Sequence, residues 1–359
     1  MIWRESAGKT NFCGLSVPRS PETLIALSSD SPSKAKIQYS LKDKFRTDPY
    51  VSHSLRKAIS GFSFDQYKMY RAIHGAAWMD YLFKRVWELA ESDDGEIFFK
   101  TIDGNLYLLG CRISSWDEEH FGFGMAKIDL IISPGGDKDR EVMGGLLDEC
   151  LCSLREKGVR FASSHISGED LPALHLLEDK GFRYYQTTTY ALVDSTNNSL
   201  PQDASVRLWK AEDVSAVMNI ARRSQFRGGH FYNDARFERG TVDLMYEKWI
   251  HTSWRNQDPI AVIETEGVVS GYFAFVMDEP LSSSLGHRYG RMTSLAIDAS
   301  IHGIGLGSRL FGSVMAMIKE MGGEYIVSEY STKNFASVNL HARNRFSTVH
   351  EKVLSHLWL

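Results

Sequence analysis

The stretch RMTSLAIDASIHGIGLGS, Arg291 to Ser308, decides the fold. Its first eight residues, RMTSLAID, read as the end of a strand. Its last residues place Gly303, Gly305 and Gly307 at alternate positions. Beyond it, Leu310, Phe311, Val314 and Ile318 recur at the spacing of an amphipathic helix. Glycines between a strand and a helix let backbone N–H groups converge on one anion, and the helix N-terminus adds partial positive charge. A diphosphate fits such a loop, and a tight turn is the competing reading of the same glycines. The two common phosphate motifs fail on detail. No Gly-Lys-Ser/Thr follows the loop, and the GxGxG alternation is not the GxGxxG of dinucleotide folds.

A second set of residues lies downstream: Asn334, Ser337, Leu340, His341, Arg343, Arg345 and Phe346. Together with Leu295-Ala296-Ile297 and the loop, this set resembles the GCN5-related N-acetyltransferase (GNAT) superfamily. That superfamily's pyrophosphate loop reads Arg/Gln-x-x-Gly-x-Gly/Ala after an L-x-V strand, and its downstream motif reads N-x-x-A-x-x-L-Y-x-K/R-x-G-F. Here His302 replaces the first Arg or Gln, His341 the Tyr and Arg345 the Gly. The resemblance implies an α/β (α+β) GNAT fold, with a mixed, mostly antiparallel central sheet flanked by helices. It implies an N-acetyltransferase with acetyl-CoA as co-substrate. Leu295, Ala296, Ile297, His302, Gly303, Ile304, Gly305, Leu306, Gly307 and Ser308 would then form the CoA site, the loop holding the diphosphate and the strand backbone the pantetheine. Asn334 would support the pantetheine or the reacting centre. His341 takes the place of the family's general-acid tyrosine, a task open to an imidazole of ordinary pKa, ~6.5. A packed or solvent-facing helix histidine is the alternative.

Sliding the chain against itself by 164 positions aligns two copies of one α/β unit without gaps. Ile131 falls on Leu295, Leu146 on Leu310, Gly158 on Gly322, Ser164 on Ser328, Leu176 on Leu340 and Phe182 on Phe346. In the first copy Glu141 and Met143 stand at the positions of Gly305 and Gly307, and Leu177 at that of His341. A carboxylate and a bulky side chain in the loop oppose a diphosphate. The first copy therefore reads as degenerate. Residues 28–36 (SSDSPSKAK) read as a loop, 62–93 as helical, and Gly95–Arg112 as a hairpin turning at Asp103-Gly104. Asp194–Ser205 (DSTNNSLPQDAS) reads as a linker. The expected division is an N-terminal extension over 1–111 with no counterpart, a degenerate GNAT-like half over 112–193, a linker over 194–204 and a catalytic domain over 205–359. The order of segments, from Trp116-Asp117 and Phe121-Gly122 through Gly181-Phe182 to a complete domain, resembles the bacterial dTDP-fucosamine acetyltransferases. Those enzymes acetylate a dTDP-4-amino-4,6-dideoxyhexose for surface polysaccharides, and the resemblance implies a nucleotide-linked amino sugar as acceptor.

Arginines crowd the segment Ala221–Phe237 (ARRSQFRGGHFYNDARF), and Arg227, His230 and Tyr232 are the expected acceptor contacts. A solvated basic face is the alternative. Glu329 or a chain of waters is the candidate base. His165, His175 and His287 sit alone, so no metal site is expected.

Composition sets the outer bounds. Among 359 residues, 41 Lys and Arg stand against 45 Asp and Glu, so nothing attracts the chain as a whole to nucleic acid or an anionic membrane. With 43% hydrophobic and 24% charged residues, disorder, collagen and rod-like coiled coils are excluded. The four cysteines form no CxxC pair, and the N-terminus carries no apolar leader core, so free thiols in the cytoplasm are expected. The expected partner is a small-molecule amine, with a homodimer as an allowed assembly. Two other functions fit the same residues: acetylation of another small amine (an amino acid, polyamine or aminoglycoside) and a non-catalytic acyl-CoA-binding sensor.

Overall fold

The computed structural model describes residues 49–65, 77–136, 138–196, 202–223, 228–301 and 303–359. The loop expected at 28–36 lies outside them. Two helices open the described chain, α1 (Pro49–Gly61) and α2 (Ala77–Glu91). The expected hairpin follows as β1 (Gly95–Ile102) and β2 (Asn105–Ile113). Asp103 and Gly104 both take positive φ, 52° and 73°, the pair of left-handed residues that a two-residue turn of this hand requires. Next come α3 (Ser115–Phe121), β3 (Gly124–Ile132), α4 (Asp139–Glu156), β4 (Val159–Ser167), α5 (Leu171–Asp179) and β5 (Arg183–Asp194). The second half contains β6 (Val206–Leu208), α6 (Val214–Arg223), α7 (His230–Asn233), α8 (Arg239–Arg255), β7 (Ile260–Thr265), β8 (Val268–Met277) and α9 (Glu279–Leu285). It ends with β9 (Tyr289–Ile297), α10 (Leu306–Glu320), β10 (Tyr325–Ser331), α11 (Phe335–Arg343) and β11 (Ser347–Trp358). No helix among the described residues is long and apolar enough to cross a membrane.

The repeat is visible in the element boundaries themselves. At the same offset α3 falls on α9, α5 on α11 and β5 on β11, end to end. It also reaches further back than the sequence motifs did. The buried face of α2, Trp78, Leu82, Val86 and Leu89, falls on Val242, Tyr246, Ile250 and Ser253 of α8. The buried run Leu106–Cys111 of β2 falls on Ser270–Phe275 of β8. The boundary expected between residues 111 and 112 therefore cuts through a strand, and the described residues from Pro49 onward have a counterpart after all. Burial is preserved along this stretch while residue identity is not, which is why no motif marks it.

The strands form one eleven-stranded sheet in the order β1-β2-β3-β4-β11-β5-β10-β9-β8-β7-β6. It is antiparallel except for β3–β4 and β9–β10, which are parallel. The order shows an exchange. The last strand of the second half, β11, lies between β4 and β5, and the last strand of the first half, β5, lies between β11 and β10. The pair Thr188–Lys352 sits where a pseudo-twofold axis must pass, because each residue maps onto the other at the repeat offset. The helices exchange too. Leu281 and Leu285 of α9 pack with α1 and α2 of the first half, while Trp116 and Phe121 of α3 pack with α6 and α8 of the second.

Candidate functional site

Parallel pairing between β9 and β10 ends at Met292–Ser328, and between β3 and β4 at the equivalent Ile128–Ser164. Just beyond, each first strand carries an extra residue opposite its other neighbour, Thr293 in β9 and Asp129 in β3. Such a bulge sharpens the local twist and turns the strand away from its parallel partner. In the second half the opened wedge holds a cavity of about 730 Å³, lined by the free end of β9, the glycine loop, β10 and α11.

The loop is built as its glycines demand. Gly303 (φ 89°) and Gly305 (φ 81°) are left-handed, and Gly305 is the N-cap of α10 with no side chain accepting from the helix start. The first-turn N–H groups thus have no side-chain acceptor, and they are aimed as an anion site requires. Gly307 is different. It lies inside the first turn, and a Cβ there would stand 3.8 Å from Ile297. Leu306, Leu310, Phe311, Val314 and Ile318 bury the opposite face of α10 and hold the loop in place. Leu295, Ala296, Ile297, Gly303, Gly305, Leu306, Gly307 and Ser308 line the cavity. Ile304 does not, its side chain being 60% exposed, and His302 lies outside the described residues.

In the first copy the obstacle is not the expected one. Glu141 is exposed on α4. The buried Asp139 instead opens α4 and accepts the N–H of Gly135 at 3.1 Å, so a fixed carboxylate occupies the helix start where an anion would bind. Met143 is buried in the first half's core.

Asn334 is the N-cap of α11, its side chain accepting from Ser337 N at 3.1 Å, as Asp170 does for Ala173 at the equivalent place. It lines the cavity, but its side-chain oxygen is committed to the helix. His341 also lines the cavity and is buried among Phe311, Tyr330 and Phe346. Its Nδ1 lies 2.7 Å from the Ser337 carbonyl, so that nitrogen carries the proton, and the buried Nε2 has no partner. Burial pushes its pKa down to about 4. The ring is therefore a neutral acceptor at pH 7, with no proton on Nε2 to give, contrary to the acid role expected of it. Arg345 keeps the left-handed conformation (φ 61°) of its counterpart Gly181, and Phe346 N still closes the helix on His341 O at 3.0 Å.

The acceptor segment is not gathered as its composition suggests. Arg222 pairs with Glu247 at 3.5 Å, Arg236 lies over the Trp358 ring, and Arg227 lies outside the described residues. Tyr232 gives its hydroxyl proton to Asp243 at 2.5 Å, stacks on Tyr246 and does not line the cavity. His230 does line it, beside Gly228, Gly229 and Phe231, and it is not alone: His165, expected to be isolated, lies 6.2 Å away centre to centre. The remaining wall comes from residues that no motif marked, Gln186, Thr188 and Tyr190 of β5 and Lys352 of β11. Their alternation along one strand face is a readable signal, but nothing local says which cavity that face meets. Glu329 also lines the cavity, bonded to Arg291 at 3.2 Å, and Arg291 in turn holds Asp278. Among the described residues no group of three or more His, Cys, Asp and Glu is placed to hold a metal ion.

His350 and His356 share the depressed pKa of His341, about 4, again through burial first. An unfolded histidine titrates near ~6.5, so below that pH the unfolded chain takes up protons that the folded chain refuses. Stability is then full above pH 6.5 and is lost as the pH falls toward 4. The expected cost is on the order of 1.4 kcal/mol per pH unit for each histidine. Thermal melts from pH 7.5 to 4.5 should show Tm falling, and His341→Phe should flatten the slope. An unchanged slope in that variant would contradict the neutral, buried state.

Residues 218–346 match the model of the Acetyltransferase (GNAT) family. No curated protein matches the sequence. Among solved structures, the GCN5-related N-acetyltransferase from Sphaerobacter thermophilus is similar at 11% identity and a TM-score of 0.53, over 77% of this chain and 85% of that one. The tandem GNAT protein from the clavulanic acid biosynthesis pathway gives 12% and 0.51, over 87% and 95%. A GCN5-related glucosamine N-acetyltransferase region of a fungal multi-domain GH3 β-N-acetylglucosaminidase gives 13% and 0.60, over 89% of this chain and 37% of that one. At such identities these likenesses speak for the fold alone. The chain has the GNAT fold, and its second half carries an N-acetyltransferase domain of a family that takes its acetyl group from acetyl-CoA.

Proposed function

We propose that this enzyme acetylates the primary amine of an amino sugar carried on a nucleotide, a dTDP-4-amino-4,6-dideoxyhexose being the first acceptor to test. The observation that carries the reading is the charge of the cavity. Lys333, Arg343 and Lys352 line it, against a single carboxylate, Glu329, which is already held by Arg291. Burial lowers the Lys352 pKa to about 8, which still leaves most of its charge at pH 7. A wall of this sign favours phosphates, those of CoA and those of a nucleotide, and repels polyamines and aminoglycosides. Gln186, Thr188 and Tyr190 add uncharged hydrogen-bonding groups that suit sugar hydroxyls. In this reading the Gly303–Ser308 loop holds the CoA diphosphate. The open backbone edge of β9 holds the pantetheine and polarises the thioester carbonyl.

Thiol release from acetyl-CoA over a panel of amines tests the proposal. A nucleotide-linked amino sugar is expected to exceed the free amino sugar in kcat/KM by at least about tenfold, each 1.4 kcal/mol of phosphate contact being worth one such factor. Spermidine-like amines should be close to inert. Turnover fastest with a polyamine or an aminoglycoside sinks the acceptor assignment. Thermal stabilisation by acetyl-CoA without thiol release on any amine sinks catalysis and leaves the sensor.

A further inference from the structure

We infer that Asp234, His356 and His230 form a buried relay in which His230 is the base that takes the proton of the attacking amine, an inference that rests on the acetyl-transfer reading above. The hydrogen bonds fix the direction. Asp234 Oδ2 accepts from the indole Nε1 of Trp358 at 3.0 Å and lies 3.0 Å from His356 Nδ1. An indole can only donate, so this oxygen is an acceptor, and His356 Nδ1 must carry its proton toward it. The Nε2 of a neutral His356 is then a lone pair. It lies 2.9 Å from His230 Nδ1, which must be the donor. That leaves Nε2 of His230 as a bare lone pair on a ring that lines the cavity beside His165.

The two inner members are shielded from water, and His230 meets the cavity. The side chains of His356 and Asp234 are 0% and 2% exposed. Tyr185 stacks on the His356 ring at 4.1 Å, and Phe161 meets it edge-on at 4.8 Å, which fixes its plane. Burial pushes the Asp234 carboxyl up, but its N–H donors Trp358 and His356 outweigh this and hold it ionised. Burial first, then the neighbouring His356, keeps His230 neutral and able to accept. Base, orienter and carboxylate thus stand in the order that makes an imidazole a directed proton acceptor. Glu329, the alternative base, is engaged by Arg291.

The step balances without a further reactant. The amine nitrogen attacks the thioester carbonyl carbon, and the C–N bond forms as the amine proton passes to His230 Nε2. The C–S bond then breaks, the departing thiolate takes a proton from water, and His230 returns its own to water. His230 is the catalytic residue. His356 and Asp234 are positioning residues that hold its tautomer and stabilise the cation it becomes.

The test uses the full chain and whichever amine it turns over. His230→Ala is expected to lower kcat about 100-fold, in the range of a lost general base, with KM for acetyl-CoA within about threefold. Added imidazole should restore part of that rate, and Asp234→Asn, which removes the charge at nearly constant size, should lower kcat about tenfold. Thermal stabilisation by acetyl-CoA reports the fold of each variant, and if alanine collapses it, His230→Gln is read against the same thresholds. A variant kcat within threefold of wild type overturns the relay, as does a loss confined to the acceptor KM or one that imidazole does not relieve. A wild-type chain that turns over no amine instead overturns the proposed function, so the two failures are told apart.

Discussion

Gly305→Val is expected to abolish the thermal stabilisation that acetyl-CoA confers while the free chain still folds. Gly305 sits at φ 81° as the N-cap of α10, and a Cβ there meets nothing within 4 Å. The penalty therefore lies in the backbone and not in a clash. Left-handed geometry costs a non-glycine residue roughly 1–2 kcal/mol, and a β-branched one still more. The loop at the protein surface can escape this cost by turning over, and in doing so it takes its N–H groups off the anion. A hydrogen bond to a charged partner is worth about 1.5–3 kcal/mol, so two lost N–H contacts weaken acetyl-CoA about 100-fold or more. At a concentration near 100 times the original Kd, the stabilisation of about 2.7 kcal/mol should then fall below half a kcal/mol. Gly307→Ala is the control. Gly307 lies within the helix turn, and its Cβ would make an ordinary 3.8 Å contact with Ile297. Its affinity should stay within about threefold of wild type, since an in-helix glycine has little conformational reason to be kept. Equal losses in the two variants would mean that the loop acts through its bulk and not through left-handed backbone.

The loop was readable in the sequence because its chemistry is done by backbone, and left-handed backbone leaves glycines behind. The repeat was readable wherever both copies close a helix in the same way, as at Gly158 and Gly322. It faded over α1 to β2, where the two copies preserve which positions are buried and not which residues fill them. The cavity wall made by β5, His230 and β11 was not readable, and the exchange of β5 and β11 is the reason. His230 and His356 are 126 residues apart, and His356 and Asp234 are 122 apart, so no spacing rule joins them. The arginine-rich segment shows the converse. Neighbours in sequence around a helix end point to different sides, which is how Arg222 reaches Glu247 while Arg236 covers Trp358. The proton inventory of His341 depends on the Ser337 carbonyl, which is invisible in a motif.

The exchange also decides what the second half can do by itself. Expressed alone, residues 205–359 are expected to aggregate, although they contain the whole glycine loop and α11. In the intact chain both neighbours of β11, β4 and β5, belong to the first half, and β5 is also the outer neighbour of β10. Removing the first half leaves β11 with no partner and β10 with an open edge, the arrangement that invites pairing with other chains. It also uncovers Leu281, Leu285, Tyr289 and Val327, which are buried against the first half's helices. At about 1.5–3 kcal/mol for each large buried side chain, that loss is roughly 6–12 kcal/mol, comparable with the whole stability of a domain. Co-expression of residues 1–204 with 205–359 should restore a soluble pair that acetyl-CoA stabilises, because every exchanged contact is then available between the two pieces. Size-exclusion chromatography and acetyl-CoA thermal shifts on the two preparations decide the matter. A monomeric 205–359 that binds acetyl-CoA would mean that β11 can fold back onto β10 in place of β5. The exchange would then be a convenience of the tandem chain and not a condition of its fold.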